Sequence, residues 1–203
     1  MTIIETIAKK SNEMIHSLCV YLSAPHQSKK DLVICKAIES ELTDILGLTY
    51  FSSRQINESL RKSLIGVDSE EKQKLLYTNN ENNIIQKIGI SALVIAVVND
   101  RDYDSARWFD IGIARTLGKL IVVYTDNKNI LEGSYFNFPF KVVSDYKSLS
   151  KLVSSINEVY NKTPFINRIG DEVRYYPISE EFKLEVKNHI KEEEEKSNEV
   201  SRS

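Results

Sequence analysis

The run ALVIAVV at residues 92–98 is the strongest indication of the fold, because it is the longest unbroken apolar stretch in the chain. A strand that is covered on both faces of a sheet is apolar throughout, whereas a strand with one solvated face alternates. The run therefore predicts a central strand of a parallel sheet with helices on both faces. It is far shorter than the ~20 residues that a membrane-spanning helix requires.

Strand and helix signals alternate on both sides of this run. Further short stretches of strand-forming residues occupy residues 18–23, 48–52, 120–124 and 140–143. Apolar residues at helical spacing separate them over residues 30–46, 79–90, 104–117 and 146–160, and a polar, partly helical segment covers residues 54–73. This alternation predicts an α/β fold with a doubly wound, mainly parallel five-stranded sheet of the flavodoxin-like or Rossmann-like type. Ligands of such sheets bind beyond the carboxyl ends of the strands, so the site is expected after residues 23, 52 and 98.

The first predicted helix has a definite register. Its apolar residues recur every three or four positions, which turns Glu39 and Asp44 outward and Val33 and Ile45 toward the core. Gly47 is placed to end this helix, because glycine readily adopts the left-handed conformation that follows a helix.

The chain divides into a predicted domain over residues 1–169 and a C-terminal extension over residues 170–203. Charged residues dominate from Glu180 onward, and the final stretch, KEEEEKSNEVSRS, offers almost nothing to bury. Segments of that composition stay solvated, so the extension is expected to be partly helical or disordered.

The composition excludes several classes of function. The chain carries 27 Lys and Arg against 29 Asp and Glu, a net charge of −2, whereas a nucleic-acid binder needs concentrated positive charge. No apolar segment is long enough to span a membrane, and the amino terminus lacks the apolar core of a signal peptide. We therefore expect a cytoplasmic protein that binds neither nucleic acid nor membrane.

Neither a metal nor a cofactor is expected from the spacing of residues. The two cysteines, Cys19 and Cys35, form no C-x-x-C or Cys/His pattern and are expected to be reduced packing residues. The three histidines are scattered, so spacing alone assembles no metal site. The loop after the first predicted strand, SAPHQSKK at residues 23–30, contains no glycine, which argues against a dinucleotide fingerprint and a phosphate-binding loop.

One carboxylate falls within an apolar helical stripe. On the helix predicted over residues 104–117, Asp110 shares a face with Ala106, Ile113, Ala114 and Leu117. Burying an unpaired charge is costly, so such a residue either lines a site or is paired. Two interpretations stay open at this point: a functional carboxylate, or an ion pair with Arg107 one turn back.

Several segments resemble the nucleoside 2-deoxyribosyltransferase family. DSARWFDIGIA at residues 104–114, followed by LGK at 117–119, resembles the family pattern D-S-G-T-x-x-E-x-G-x-A with its later G-K. YLSAP at 21–25 resembles the first strand and loop, usually Y-L-A-G-P, and FSSRQ at 51–55 resembles the turn after the second strand. With ALVIAVV as the third strand, the resemblance runs in order over residues 18–160.

The resemblance implies an enzyme that cleaves or transfers the N-glycosidic bond of a nucleoside or nucleotide through a carboxylate nucleophile. Asp110 takes the position of the family's nucleophilic glutamate and is one methylene shorter. Asp104 would contact the base or sugar and manage the proton, Tyr21 would lie near the nucleophile, and Gln55 would help to hold the base. Asn137 would match an asparagine that family members insert into a neighbouring subunit's site, which implies a homo-oligomer, a dimer or larger.

Other positions are predicted to contribute to substrate binding. Ser23, His26 and Asn99 belong to the ends of predicted strands or the loops that follow them, at the expected ligand edge. Arg107 stands where the family pattern has a small residue, and with the two lysines at 29–30 it would suit a phosphate on the sugar. These cations favour a nucleotide N-hydrolase over a nucleoside transferase within the family.

Two alternatives accompany the enzyme. The fold could be retained as a catalytically degenerate sensor or interaction module that binds a nucleoside or nucleotide without turnover, since fold does not settle function. The chain could also be a scaffold in which Asp110 and Arg107 form a purely structural pair. The shorter side chain of Asp110 bears on this choice, because a misplacement of ~1 Å costs on the order of 10²-fold in rate.

Overall fold

The sheet predicted from the sequence is present in the computed structural model, which describes residues 18–24, 29–98, 105–125, 139–162 and 178–200. Its strands are β1 Cys19–Ser23, β2 Thr49–Ser52, β3 Leu93–Val97, β4 Leu120–Tyr124 and β5 Lys141–Val143. All neighbours pair in parallel, in the order β2-β1-β3-β4-β5. The predicted α/β class and the five-stranded sheet are therefore confirmed.

Helices connect and cover these strands. The first begins as α1 Lys29–Ser40 and continues as a π-helical turn, Glu41–Ile45. The other helices in the described residues are α2 Ser53–Ser63, α3 Glu70–Ile90, α4 Ser105–Thr116, α5 Tyr146–Lys162 and α6 Glu180–Val200. Helix α3 starts earlier than the predicted residue 79, because the Ser69 side chain accepts a hydrogen bond from the Lys72 amide and caps the helix there. None of the described helices is both long and apolar enough to cross a membrane.

Alternate residues of each strand face opposite helical layers. On one face Val20 and Ile95 pack against α1, α5 and α6. On the other face Tyr21, Val94 and Ile121 pack against α3 and α4. Every residue of β3 and β4 is buried, and each fully buried aliphatic side chain contributes roughly 1.5–3 kcal/mol. The sheet is thus covered on both sides, as the continuous apolar run predicts.

The outward position predicted for Glu39 is wrong. Glu39 is only 7% exposed, and its side chain forms an ion pair with Arg54 of α2. The two residues that the periodicity directs to the core, Val33 and Ile45, are each 67% exposed. The buried side of α1 instead runs through Cys35 and its neighbours, and Glu39 borders that side, where a charged partner from α2 can reach it. Gly47 adopts φ +61° after the π-helical turn, as predicted for a residue that ends a helix.

Helix α6 has an apolar beginning and a charged end. Phe182 and Val186 are buried in the core, and the Phe182 ring lies edge-on to Tyr160 of α5, with ring centroids 6.2 Å apart. From residue 191 to residue 196 the side chains are mostly exposed, as the charge predicts. The helical part of the extension is therefore packed against α5. The domain boundary after residue 169 stays a prediction, because it lies outside the described residues.

Candidate active site

The strand order reverses between β1 and β3, which are neighbours in the sheet. In doubly wound sheets the connections leave a crevice at the carboxyl ends of such strands, and ligands bind there. Ser23 ends β1 and Val97 ends β3. Helix α4 follows β3 and packs on the face of the sheet that carries Tyr21, so it brings side chains to this edge.

Asp110 of α4 is the carboxylate at this position. Its Oδ2 accepts a hydrogen bond from the hydroxyl of Ser23 at 2.8 Å and another from the hydroxyl of Tyr21 at 3.2 Å. Tyr21 and Ser23 are two residues apart on β1, so they face the same helical layer. Both are fully buried, and Asp110 is 3% exposed. The two hydroxyls supply hydrogen bonds that a buried carboxylate needs and restrain its rotation.

The protonation of Tyr21 follows from this arrangement. Burial, and then the charge of Asp110, raise the pKa of Tyr21 well above its ordinary value of 10.0. The phenol therefore keeps its proton at neutral pH and acts as a donor rather than as a base. The described part of the cluster thus offers one carboxylate and two neutral donors, a set that suits nucleophilic or acid-base chemistry better than metal binding.

Arg107 lies one turn before Asp110 and is 8% exposed. Its Nη1 donates a hydrogen bond of 2.7 Å to the carbonyl oxygen of Val97, the last residue of β3. This contact fastens the beginning of α4 to the strand that precedes it. This hydrogen bond of the guanidinium goes to the main chain, and the two hydrogen bonds described for the Asp110 carboxylate come from hydroxyls.

The buried stripe of α4 differs by one position from the predicted stripe. Ala106 is exposed, so its predicted place on the buried side is wrong. The buried side runs instead through Arg107, Asp110, Ile111 and Ala114. An arginine can occupy that side because the carbonyl of Val97 accepts a hydrogen bond from it.

The turn between β2 and α2 forms a second part of the same edge. The Ser53 hydroxyl accepts a hydrogen bond from the Ala24 amide at 3.1 Å and donates to the Ala24 carbonyl at 3.4 Å, which ties the end of β1 to α2. Arg54 donates to both carboxylate oxygens of Glu39, at 3.3 and 2.6 Å, and to Glu58 at 2.8 Å. These hydrogen bonds raise the pKa of Arg54, Glu39 contributing most. The turn is therefore held by a charged network.

The remaining predicted site residues are not all gathered at Asp110. Gln55 is exposed, and its Nε2 donates to the Tyr50 hydroxyl at 2.8 Å. Lys29 is exposed at the first position of α1. Four further residues lie outside the described residues, and their roles stay predictions: His26, Asn99, Asp104 and Asn137.

Sequence reasoning missed Ser53, Arg54 and Glu39. The segment FSSRQ pointed to this turn only through the family resemblance, which drew attention to Gln55. A buried ion pair between two helices has no spacing signature, because each partner alone looks like a solvated charge. One usable signal was the place of Ser53 and Arg54 directly after a predicted strand at the ligand edge.

No protein-family model matches this sequence, and a sequence comparison with curated proteins gives no match either. The structure is similar to that of a 2-deoxyribosyltransferase from the psychrotolerant bacterium Bacillus psychrosaccharolyticus, with a TM-score of 0.51. The similarity covers 79% of this chain and 99% of that chain, at 18% sequence identity. That enzyme is described as a biocatalyst for the synthesis of antiviral and antitumoral nucleosides. At this level of identity the two chains share a fold, the five-stranded parallel sheet with helices on both faces.

Proposed function

We propose that this protein cleaves or transfers the N-glycosidic bond of a nucleoside or nucleotide, with Asp110 as the nucleophile. The observation that carries the proposal is the Asp110 carboxylate, held by two hydroxyls at the point where the strand order reverses. The shared fold with a 2-deoxyribosyltransferase supports a small nucleoside-type substrate. The resemblance of the α4 segment to that family supports the same chemistry.

The reaction proceeds in two steps. An oxygen of the Asp110 carboxylate attacks the anomeric carbon, the bond to the nucleobase breaks, and the base leaves with its electron pair and takes up a proton. Water or a second base then attacks the glycosyl ester, releases the sugar or a new nucleoside, and restores the carboxylate. Asp104 is the proposed proton donor to the leaving base.

The residues around Asp110 act by positioning it. Tyr21 and Ser23 hold Oδ2, and Arg107 fixes the beginning of α4 through the Val97 carbonyl. Because an aspartate reaches one methylene less far than a glutamate, its placement by the helix is decisive for the rate. We propose that Lys29 at the start of α1 favours a substrate with a phosphate on the sugar.

A binding module without turnover is the second candidate. It is favoured by the burial of Asp110, which is 3% exposed while its Oδ2 already accepts two hydrogen bonds. A carboxylate that is buried and hydrogen-bonded in this way presents little surface to a sugar carbon. In this alternative the carboxyl edge of the sheet holds a nucleoside or nucleotide as a signal, and the charged end of α6 or a second subunit transmits it.

A base-release assay separates these candidates. The protein is incubated with deoxynucleosides and their monophosphates, with and without a second base, and free base is measured by chromatography. If the protein is an enzyme, we expect the wild type to release free base and Asp110→Ala to release none. Asp68→Asn, which removes an exposed carboxylate outside the site, should release base like the wild type. Thermal stabilisation by the same compounds without free base would support the binding module. If the compounds give no free base and no stabilisation, both candidates are wrong, and the interpretation of the chain as a structural scaffold remains.

A further inference from the structure

A second group of chemically capable side chains lies on the other face of the sheet, in the seam between α5 and α6. Glu158 of α5 and His189 and Glu193 of α6 place one ligand atom each within 4.8 Å of one another. His189 and Glu193 are four residues apart on a helix, so they share the face that contacts α5. We call these three residues the seam cluster.

The imidazole is the unusual member of the seam cluster. His189 Nε2 is sealed from solvent and makes no hydrogen bond within the described part of the chain. Glu158 Oε2 lies 3.3 Å from it. A buried polar atom that lacks a hydrogen bond costs free energy unless something else binds it.

A hydrogen bond from α5 orients the carboxylate of Glu193. Ser155 of α5 is 2% exposed, and its hydroxyl donates to Glu193 Oε2. Support of this kind is typical of metal ligands, whose orientation is fixed by a hydrogen bond from a neighbouring group. It also places Glu193 beside the imidazole rather than in solvent.

Three electron-pair donors that converge in this way offer a site for a cation. One imidazole nitrogen with two carboxylates suits Zn²⁺ and similar divalent transition metals, whereas Ca²⁺ and Mg²⁺ prefer oxygen ligands. At metal–ligand distances of about 2.0–2.2 Å, the ligand atoms lie roughly 3–3.5 Å apart. The seam cluster needs only a small contraction to reach this separation, and the Glu158 side chain, 48% exposed, has room to make it.

We propose that the seam cluster binds a divalent transition-metal ion of the zinc type, with water completing the coordination. The ion would join α5 to α6 and thereby secure the C-terminal helix, whose Phe182 and Val186 are already buried in the core. This site is on the opposite face of the sheet from Asp110 and is independent of the proposed glycosidic chemistry.

The test uses the full chain after treatment with a chelator and its removal. Zn²⁺ alone is titrated by calorimetry into the wild type and into Glu158→Gln, His189→Gln and Glu195→Gln. The last variant is the matched control, because Glu195 lies on the same helix with a side chain 64% exposed and pairs with Lys191 instead. Melting temperature with and without Zn²⁺ is a second readout, and visible absorption after Co²⁺ loading is a third.

The expected result is one ion per chain in the wild type and in Glu195→Gln, with affinity lowered at least about tenfold in the other two variants. Zn²⁺ should raise the melting temperature by several degrees only where it binds. Absence of binding at micromolar Zn²⁺ would overturn the proposal. Equal binding in all four proteins would place the ion on other residues and overturn it as well. Neither result depends on turnover of a nucleoside.

Discussion

Two charged side chains are buried at opposite edges of the same sheet, and they differ in what holds them. Asp110 lies at the carboxyl edge, and its Oδ2 accepts hydrogen bonds from the hydroxyls of Tyr21 and Ser23. Lys119 precedes β4 at the amino edge, is 7% exposed, and donates from Nζ to the main-chain carbonyl of Gly89. Burial lowers the pKa of Lys119 to about 8.

Burial of a charge therefore does not by itself identify a functional group. Gly89 lies in the last turn of α3, where carbonyls lack helical partners and a cation is favourable. Lys119 therefore completes a helix end. The hydroxyls that hold Asp110 can rotate during a reaction, and the edge on which they lie is the one where doubly wound sheets bind ligands. We therefore interpret Asp110 as functional and Lys119 as structural.

The largest effect expected from this comparison is on the rate of base release. Asp110→Asn keeps the size and an acceptor oxygen but loses the anionic nucleophile, so the rate should fall by about 10³-fold or more. Lys119→Met should leave the rate unchanged. Initial rates at pH 7, with circular dichroism to verify folding, provide the measurement. A similar loss in both variants would break the distinction between the two edges.

A third buried charge, Arg54, tests whether the carboxyl edge is functional throughout. Its partners are the charged groups of Glu39 and Glu58, so Arg54→Met leaves the buried Glu39 carboxylate without a cation. We expect the free energy of unfolding to fall by about 3 kcal/mol. Urea denaturation measures this free energy. The control is Arg61→Met on the exposed side of α2, whose free energy of unfolding should stay within about 0.5 kcal/mol of the wild type. Loss of activity at unchanged stability would instead group Arg54 with Asp110.

Two buried serines, one at each edge of the sheet, allow the same comparison with a smaller expected effect. Ser23 donates to the charged Asp110, whereas Ser91 at the amino edge donates to the carbonyl of Lys87 at 2.8 Å. Ser23→Ala should lower kcat about tenfold, roughly 1.4 kcal/mol, because the carboxylate loses one of its restraints. Ser91→Ala should cost about 1 kcal/mol of stability without affecting kcat. If Ser23→Ala changed only the melting temperature, Ser23 would be a packing residue like Ser91.

The sequence predicted the fold better than the site, for a physical reason. Strands β3 and β4 are buried on both faces, so each of them is an unbroken apolar run that can be recognised in the sequence alone. Asp110 was also detectable, because a charge within an apolar helical stripe conflicts with its surroundings. Its partner Tyr21 is 89 positions away along the chain, so periodicity and spacing do not bring the two together, and only the family resemblance implied that they are close.

Other features could not be detected because they depend on the relative placement of helices. The helical pattern predicts that Glu39 is exposed, and its burial is explained only by the ion pair with Arg54, which comes from α2. The seam cluster likewise combines Glu158 of α5 with two residues of α6, and only the packing of these helices brings Glu158 to His189. The apolar residues Phe182 and Val186 are too few to offset the charge of their segment in a composition argument, although both are buried.

The smallest predicted effect concerns Lys119 and the pH dependence of stability. Its pKa is lowered from 10.5 to about 8 in the folded state, so between these values the unfolded chain binds more protons than the folded chain. The contribution of Lys119 to the free energy of unfolding therefore rises with pH, from its full penalty below pH 8 toward none above 10.5.

The cleanest measurement is the difference in unfolding free energy between the wild type and Lys119→Met at pH 7 and pH 9. Other titrating groups largely cancel in this difference, and burial raises the pKa of the nearby Cys19 thiol above its ordinary 9.0. The difference should shift in favour of the wild type by about 1 kcal/mol as the pH rises. A flat or reversed dependence would mean that Lys119 is as well solvated as a surface lysine. Burial of Lys119 would then not lower the free energy of unfolding. Of Lys119 and Asp110, only Asp110 would need hydrogen bonds to offset the cost of burying its charge.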